Sequence, residues 1–239
     1  MDKLIFLDTE TTGNDMYSDR LFEVAYKHNG KTHADYFLPP IPISVKAQSI
    51  THITNEMIAD KPVFSQSEMK KDLEKILESG ILVAHSAEFD ADMLSREGLV
   101  INDFICTMKV SRFLDVDSEI PEYGLQYLRY FHNLDVKDAL AHDARSDIKV
   151  LEALFFYLFN KMKESINDGD KIISEMIRIS KEPVLFKIFG FGKYRGKRID
   201  EIIAFDRGYL EWLLEKKLES DFDEENWIYS LKHYLQIKD

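Results

Sequence analysis

The chain of 239 residues has only one cysteine, Cys106. A disulfide within the chain is therefore impossible, and a zinc site built from several thiolates is excluded. The sequence also lacks any run of about 18 apolar residues, so it predicts neither a signal peptide nor a membrane-spanning helix. Together these absences predict a soluble protein that resides in the reducing cytoplasm.

Positive charge is scarce as well, with 31 Lys and Arg against 43 Asp and Glu and a net charge of −12. Binding to phosphates is driven by Lys and Arg, so the total charge alone argues against a nucleic-acid partner. The cations are unevenly distributed, however. One strongly basic segment near the C-terminus contains five of them with no acid in between: Lys187, Lys193, Arg195, Lys197 and Arg198. We expect any contact with phosphates to involve this segment.

Hydrophobic residues form 45% of the chain, enough for a substantial core, and their spacing alternates between strand and helix periods. Residues 21–28 and 32–38 surround Asn29-Gly30, which is a strong hairpin signal, and a buried strand at 3–7 precedes them. These three strands predict an antiparallel meander, and a further buried strand is predicted at 81–84. Amphipathic helices are predicted at 66–78, 89–96, 107–114, 124–131 and 142–164. The alternation of strands and helices indicates an α/β fold.

Composition divides the chain into three parts. We expect a main α/β domain over residues 1–164, a polar linker over 165–183 with a helix at 171–180, and a small α+β module over 184–239. The module is predicted to begin with a hairpin whose arms are FKIFGFGKY and KRIDEI and whose turn is Arg195-Gly196. A helix that contains Trp212 is predicted to follow. The helical spacing of Trp212 from Tyr209 predicts that its side chain belongs to the core of the module, with a platform for a stacked base as the alternative.

Two carboxylates, Asp8 and Glu10, end the first predicted strand. Because side chains alternate along a strand, both point to the same face, where they repel each other unless a cation joins them. A solvated strand end is the alternative and is common. The Thr-rich continuation to Gly13 favours a site, since small residues let a ligand approach the backbone closely.

Three further chemical groups follow in the sequence. Asp90 begins a helix after the strand at 81–84, where an ordinary helix cap is the alternative. His142 and Asp147 lie at the start of the longest predicted helix, where acids also suit the positive helix end. Five residues turn a helix by about 500°, so both side chains face one site only if His142 lies in the preceding loop.

Four carboxylates and one imidazole suit metal-assisted hydrolysis. Oxygen ligands of this kind favour Mg²⁺ or Mn²⁺ over zinc. Two such ions about 4 Å apart can flank a scissile phosphate. An imidazole with a pKa near neutrality can take the proton from the attacking water.

Three motifs in this order resemble the DEDDh (DnaQ-like) branch of the DEDD exonuclease superfamily: FLDTETTG, AHSAEFDADML and HDARSD. The resemblance covers roughly residues 1–160 and implies an RNase H-like fold, with a mixed sheet flanked by helices. It implies that Asp8, Glu10, Asp90 and Asp147 hold two divalent ions, Mg²⁺ or Mn²⁺. It also implies that His142 is the general base and that Glu10 takes part in catalysis.

The same resemblance implies a set of contacts with the 3′-terminal nucleotide: Thr11, Thr12, Ile53, Ser86 and Phe89. The segment SITHITNEMI, residues 49–58, is similar to the substrate loop of the family. Two positions depart from the family pattern: Ser86 replaces the usual Asn, and no Gly follows His52. We expect these departures to alter hydrogen bonding to the terminal nucleotide.

The sequences FGKYRGKRIDEI and DRGYLEWLL resemble the small C-terminal module of exonuclease X-like proteins. This resemblance favours a nucleic-acid clamp in which Tyr194 stacks on a base and four cations contact phosphates: Lys193, Arg195, Lys197 and Arg198. The alternative is a basic hairpin that caps the main domain.

These motifs predict a 3′→5′ DNA exonuclease that releases 5′-mononucleotides, in DNA repair or end trimming. Its partner would be a nucleic acid with a free 3′ end, with no membrane involved. An RNA 3′-trimming exoribonuclease and a polymerase proofreading exonuclease remain alternatives, because one site can serve both sugars. A catalytically inert nucleic-acid-binding protein is a further alternative, which the presence of all five site residues disfavours.

Overall fold

The computed structural model describes residues 1–137, 144–220 and 224–237. The chain forms two compact units, each built from two segments of the sequence. Unit 1 consists of Met1–Ser111 and Glu122–Ser180, and unit 2 consists of Arg112–Pro121 and Lys181–Asp239. The boundaries of domain, linker and module given above stay predictions.

The described residues of unit 1 contain a mixed sheet of five strands in the order β3-β2-β1-β4-β5. The strands are β1 (Leu4–Thr11), β2 (Leu21–His28), β3 (Lys31–Tyr36), β4 (Ile81–Ala84) and β5 (Asp103–Cys106). The first three pair antiparallel, which confirms the predicted meander, whereas β4 pairs parallel with both β1 and β5. Strand β5 was not predicted, because its sequence DFIC begins with an acid and lacks the continuous apolar run that marks β4.

Helices flank this sheet. Those that lie wholly or mainly in unit 1 are α1 (Val45–Thr51), α2 (Glu68–Leu77), α3 (Ala87–Arg96), α4 (Thr107–Leu114), α5 (Leu125–Phe131), α6 (Ala144–Lys163) and α7 (Gly169–Lys181). The five predicted helices are all present, with small differences at their ends. A sixth predicted helix, at 171–180 in the linker, is present as the slightly longer α7. In the described part of the chain, none of the helices is both long and apolar enough to cross a membrane.

Strand β1 separates the two faces of the sheet by its alternating side chains. Ile5 and Leu7 belong to a buried cluster that also contains Leu73 of α2. Phe6 points to the opposite face, where its ring contacts Phe155 of α6 edge-on at a centroid distance of 5.4 Å. Helices α2 and α6 therefore cover opposite faces of β1.

Two polar contacts fix α6 over its face of the sheet. Lys27 of β2 forms an ion pair with Glu152 of α6, with Nζ and Oε2 2.6 Å apart. Arg145, in the first turn of α6, donates to the carbonyl oxygen of Ala34 in β3 at 2.8 Å. Because the two contacts join different turns of α6 to different strands, they limit rotation of the helix and its shift along the sheet.

The end of β5 is tied to the end of α7 within unit 1. The buried Cys106 donates its backbone N–H to Oγ of Ser180 at 2.7 Å, and its thiol donates to the carbonyl oxygen of His85 at 3.2 Å. The ammonium group of Lys109 donates to the carbonyl oxygen of Ser180 at 3.1 Å and to Glu88 at 2.6 Å. Burial raises the pKa of the Cys106 thiol.

Unit 2 contains α8 (Ile199–Phe205), α9 (Arg207–Leu218) and α10 (Glu225–Leu235). Its buried apolar core consists of Phe189, Ile199, Ile202, Leu210, Leu213, Leu214, Leu231 and Leu235. A short antiparallel pairing precedes α8: Phe189 donates to the carbonyl oxygen of Lys197 at 2.9 Å, and Gly196 donates to that of Phe189 at 2.8 Å. The turn needs Gly196, because its φ of +79° is a conformation that other residues rarely adopt.

Two predictions about unit 2 were wrong in part. The second arm of the predicted hairpin ends at Arg198, because Ile199 and Ile202 are buried at helical spacing and begin α8. Trp212 is not in the core, since 51% of its surface is exposed; its ring lies 5.6 Å from that of Tyr209. Other apolar residues of α9 fill the core in its place.

Candidate active site

The acidic site begins on β1. Asp8 and Glu10 point to the same face as Phe6, as the strand period requires. From Phe6 to Glu10 the strand rises by about 13 Å. The two carboxylates therefore lie beyond the apolar contact with α6, toward the C-terminal end of β1.

Helix α6 carries Asp147 to the same place. Asp147 precedes Phe155 by eight residues, which is about 12 Å of helix and little more than two full turns. This length matches the rise of β1, so a helix fixed by Phe155 over Phe6 also brings Asp147 to the acids of β1. Ligand oxygens of Asp8, Glu10 and Asp147 lie within 4.8 Å of one another. Asp147 itself is buried.

Asp90 lies in the first turn of α3 and is 5% exposed. Its Oδ1 accepts a hydrogen bond of 2.8 Å from the hydroxyl of Thr9, which stands between the two acids of β1. Burial raises the pKa of Asp90 to about 7, although the Thr9 hydroxyl opposes this rise by stabilising the charged form. In the sequence Thr9 had stood out only as a small residue.

The carboxylates raise the pKa values of one another. Burial raises the pKa of Asp8 well above its usual value, and the charges of Asp90, Glu10 and Asp147 raise it further. Burial and the neighbouring charges, Glu23 first among them, raise the pKa of Glu10 to about 8. Such a group of acids holds its full negative charge near neutral pH only when cations lie among them. The oxygen-only donor set fits Mg²⁺ or Mn²⁺.

Two residues of the site were missed by sequence reasoning. Glu23 of β2 lies opposite Glu10 in the strand register and is 3% exposed. A single acid inside the apolar run LFEVAY was the signal that could have identified it. Gln126 of α5 donates its side-chain N–H to Oδ1 of Asp147 at 2.6 Å, and no pattern in the sequence marks it.

His142 lies outside the described residues, so its predicted role stays a prediction. Of the predicted substrate contacts, Thr11 and Thr12 are buried and hold the turn after β1. The Thr11 hydroxyl donates to the carbonyl oxygen of Gly13 at 2.6 Å, and the Thr12 hydroxyl donates to Asp19 at 2.7 Å.

The other three predicted substrate contacts lie in two places. Ser86 is exposed at the start of α3, and Phe89 is half-buried one turn later. Ile53 packs against a small buried cluster that includes Phe22 and Ile58. Their contact with a nucleotide stays a prediction.

The predicted nucleic-acid contacts of unit 2 fall into two groups. Lys193 pairs with Asp206 at 3.0 Å, and the hydroxyl of Tyr194 also donates to Asp206, whose pKa these hydrogen bonds lower. Arg198 pairs with Asp200 at 2.8 Å. Within the described ranges, Arg195 and Lys197 are exposed and form no ion pair. These two cations are the ones available to phosphates without breaking an existing contact.

Two family matches divide the chain along its length. The family described as Exonuclease (RNase_T) matches residues 5–155. The family described as Exodeoxyribonuclease X-like C-terminal matches residues 189–217. Both parts of the sequence that resembled known exonucleases are therefore matched.

Individual relatives agree with these matches. Exodeoxyribonuclease 10 of Escherichia coli K12 is 31% identical over 198 residues, which cover 83% of this chain and 82% of the relative. DNA polymerase III subunit epsilon of Treponema pallidum is 30% identical over 158 residues, 62% of this chain and 72% of the relative.

Solved structures show the same fold. Exonuclease X in complex with 5′ overhanging duplex DNA superposes with a TM-score of 0.56 and 28% identity, over 74% of this chain and 99% of that one. The nuclease domain of 3′hExo, a DEDDh family member bound to rAMP, superposes with a TM-score of 0.53 and 19% identity. The match covers 67% of this chain and 92% of that one. The fold of unit 1 is thus the RNase H-like fold of these nucleases.

Proposed function

This chain belongs to the DEDDh exonuclease family and is a 3′→5′ exonuclease, and we propose that it degrades DNA to 5′-mononucleotides with two divalent metal ions. The observation that carries the proposal is the convergence of Asp8, Glu10 and Asp147, whose oxygens lie within 4.8 Å, beside the buried Asp90. DNA is favoured because the similarity to exodeoxyribonuclease 10 extends over 83% of the chain. A role in repair or end trimming is part of the proposal.

The side chains divide the chemistry among them. Asp8, Glu10, Asp90 and Asp147 would hold the two ions, which when bound activate water and stabilise the leaving oxygen. Thr9 fixes the carboxylate of Asp90 through its hydroxyl. His142 would accept the proton of the attacking water as the general base.

A direct assay tests the substrate. The full chain is incubated with single-stranded DNA and RNA of the same sequence, labelled at the 5′ end, with Mg²⁺, Mn²⁺ or EDTA. We expect shortening from the 3′ end, release of 5′-mononucleotides, no activity in EDTA and faster hydrolysis of DNA. An equal or faster rate on RNA would contradict DNA as the preferred substrate. Activity in EDTA would contradict the requirement for divalent metal ions.

The raised pKa values predict how stability depends on pH without metal. Between the usual pKa of a glutamate and about 8, folded Glu10 binds a proton that the unfolded chain has lost. The free energy of unfolding therefore falls as pH rises through this window. We expect the metal-free unfolding temperature to fall by roughly 6–16 °C from pH 5 to pH 8 through this group, because a pKa raised from 4.5 to about 8 corresponds to about 3–4 kcal/mol over this range.

Scanning calorimetry in EDTA measures this effect as the difference between the wild type and Glu10→Gln, which should lose that part of the pH dependence. Mn²⁺ should raise the unfolding temperature more at pH 8 than at pH 6, since it binds the deprotonated acids. Glu78→Gln, at an exposed glutamate that follows α2, is the matched control and should behave as the wild type. Identical pH profiles for Glu10→Gln and the wild type would contradict the prediction.

The exposed cations of unit 2 predict a salt-dependent contribution to DNA binding. Reversing both charges, Arg195→Glu with Lys197→Glu, should raise KM and leave kcat unchanged. For single strands, losing two phosphate contacts should reduce the slope of log affinity against log salt by about 1.4. KM at several salt concentrations measures this.

The matched control reverses two exposed cations on α2, Lys71→Glu with Lys75→Glu, on the sheet face opposite to the acidic site. It should leave the salt slope near the wild-type value. An equal effect of both double variants would mean that net charge alone acts and that unit 2 makes no specific contact.

A further inference from the structure

Helix α5 carries Gln126, whose side-chain amide faces the acidic site. The side-chain N–H of Gln126 donates to Oδ1 of Asp147 at 2.6 Å. Asp147 is 8% exposed, so little water competes for this hydrogen bond. An amide donor to a carboxylate also makes a charge-assisted bond, which is stronger than one between neutral groups.

Arg129 determines which way the amide of Gln126 points. Its guanidinium donates to Oε1 of Gln126 at 3.3 Å. Because a guanidinium can only donate, the amide oxygen must face Arg129 and the amide nitrogen must face Asp147. The two residues lie three apart on α5, on the same side of the helix. A second guanidinium nitrogen of Arg129 donates to the carbonyl oxygen of Val136, which holds the guanidinium in place.

Contacts at both ends and in the middle hold α5 itself. Before the helix, the imidazole of His85 contacts the carbonyl oxygen of Tyr123 at 2.7 Å. Within it, Leu128 is fully buried. At its end, the ring of His132 stacks on Tyr157 of α6 with centroids 4.3 Å apart. The helix is therefore fixed along α6, and Gln126 is fixed beside Asp147.

We propose that Gln126 is a positioning residue, oriented by Arg129, that holds the carboxylate of Asp147 in the geometry that binds a divalent cation. The inference rests on the proposed function, in which Asp147 is a metal ligand. The amide engages Oδ1 and so fixes the rotation of the carboxylate. Partners of this kind, which hold a ligand without touching the metal, typically contribute about 10–100-fold to metal affinity.

Mn²⁺ binding to the full chain, followed by isothermal titration calorimetry, tests the proposal without relying on activity. Gln126→Leu keeps the size of the side chain and removes the donor, and it should weaken Mn²⁺ binding by about 10–100-fold. Gln126→Asn keeps the amide on a side chain too short to reach Asp147 and should show the same loss. Gln66→Leu, at an exposed glutamine outside the site, is the matched control and should bind as the wild type.

The hydrolysis rate gives a second readout. If Gln126 acts through the metal, the loss of hydrolysis rate in Gln126→Leu relative to the wild type should shrink as the Mn²⁺ concentration rises. A purely structural defect would leave the deficit unchanged at every concentration. Wild-type affinity in both Gln126 variants overturns the inference, whereas absence of Mn²⁺ binding by the wild type overturns the proposed function and the inference with it.

A double-mutant cycle tests the part played by Arg129. Arg129→Met should also weaken Mn²⁺ binding, and the double variant with Gln126→Leu should be no weaker than Gln126→Leu alone. Effects that fail to add indicate that Arg129 acts through Gln126. Additive losses would overturn the role given to Arg129.

Discussion

Replacing Asp8 with Asn should lower the rate of nucleotide release by roughly 100- to 1000-fold and at the same time stabilise the metal-free protein. The loss follows because Asp8 shares its site with Glu10 and Asp147 within 4.8 Å, and a metal ligand contributes several kcal/mol to the transition state. The gain in stability follows because burial and the neighbouring charges raise the pKa of Asp8, so that its charged form destabilises the folded chain. Asn removes one of the repelling charges at little change in size.

Single-turnover release of nucleotides with saturating Mn²⁺ measures the first effect, and the unfolding temperature in EDTA measures the second. Asp92→Asn is the matched control, since Asp92 lies two residues after Asp90 on α3 and pairs with Arg96 at 2.9 Å. It should keep near wild-type activity. A rate of Asp8→Asn within tenfold of the wild-type rate would show that Asp8 is not a metal ligand.

Replacing His142 with Ala should lower the rate by about 100- to 10,000-fold, the range that general base catalysis contributes. As a base, His142 acts in its neutral form, so activity should rise with pH through a pKa near neutrality. The variant should lose this rise. The prediction comes from the motif HDARSD alone.

The profile has to be measured at saturating Mn²⁺, because the carboxylates also bind protons near neutral pH when metal is absent. Saturation removes the pH dependence of metal binding and leaves that of the base. His33→Ala, at an exposed histidine of β3, is the matched control and should keep the wild-type profile. A His142→Ala profile that still rises through the same pKa would exclude His142 as the base.

The sequence predicted those parts of the fold and site that local periods determine. Asp8 and Glu10 share a face because strands alternate, and Asn29-Gly30 specified the hairpin between β2 and β3. The long run of helical periodicity in α6 predicted that Asp147 lies near the start of a helix. In each case the deciding interaction lies within a few residues of chain.

The rest depends on contacts between residues distant in the chain. Gln126 and Asp147 are 21 residues apart, and the hydrogen bond from Thr9 to Asp90 joins residues 81 apart. Trp212 was misplaced because helical spacing alone does not say which of several apolar residues fill the core. Strand β5 was missed for the same reason, since it is recognisable only through its pairing with β4.

The reactivity of the buried thiol of Cys106 reports local unfolding within unit 1. A cysteine reacts as the thiolate, so burial and a raised pKa protect Cys106 from alkylating reagents while the chain is folded. Because it is the only cysteine in the chain, any labelled molecule reports that the attachment between β5 and α7 has opened. The rate of alkylation therefore measures the free energy of that opening in the native, unmodified protein.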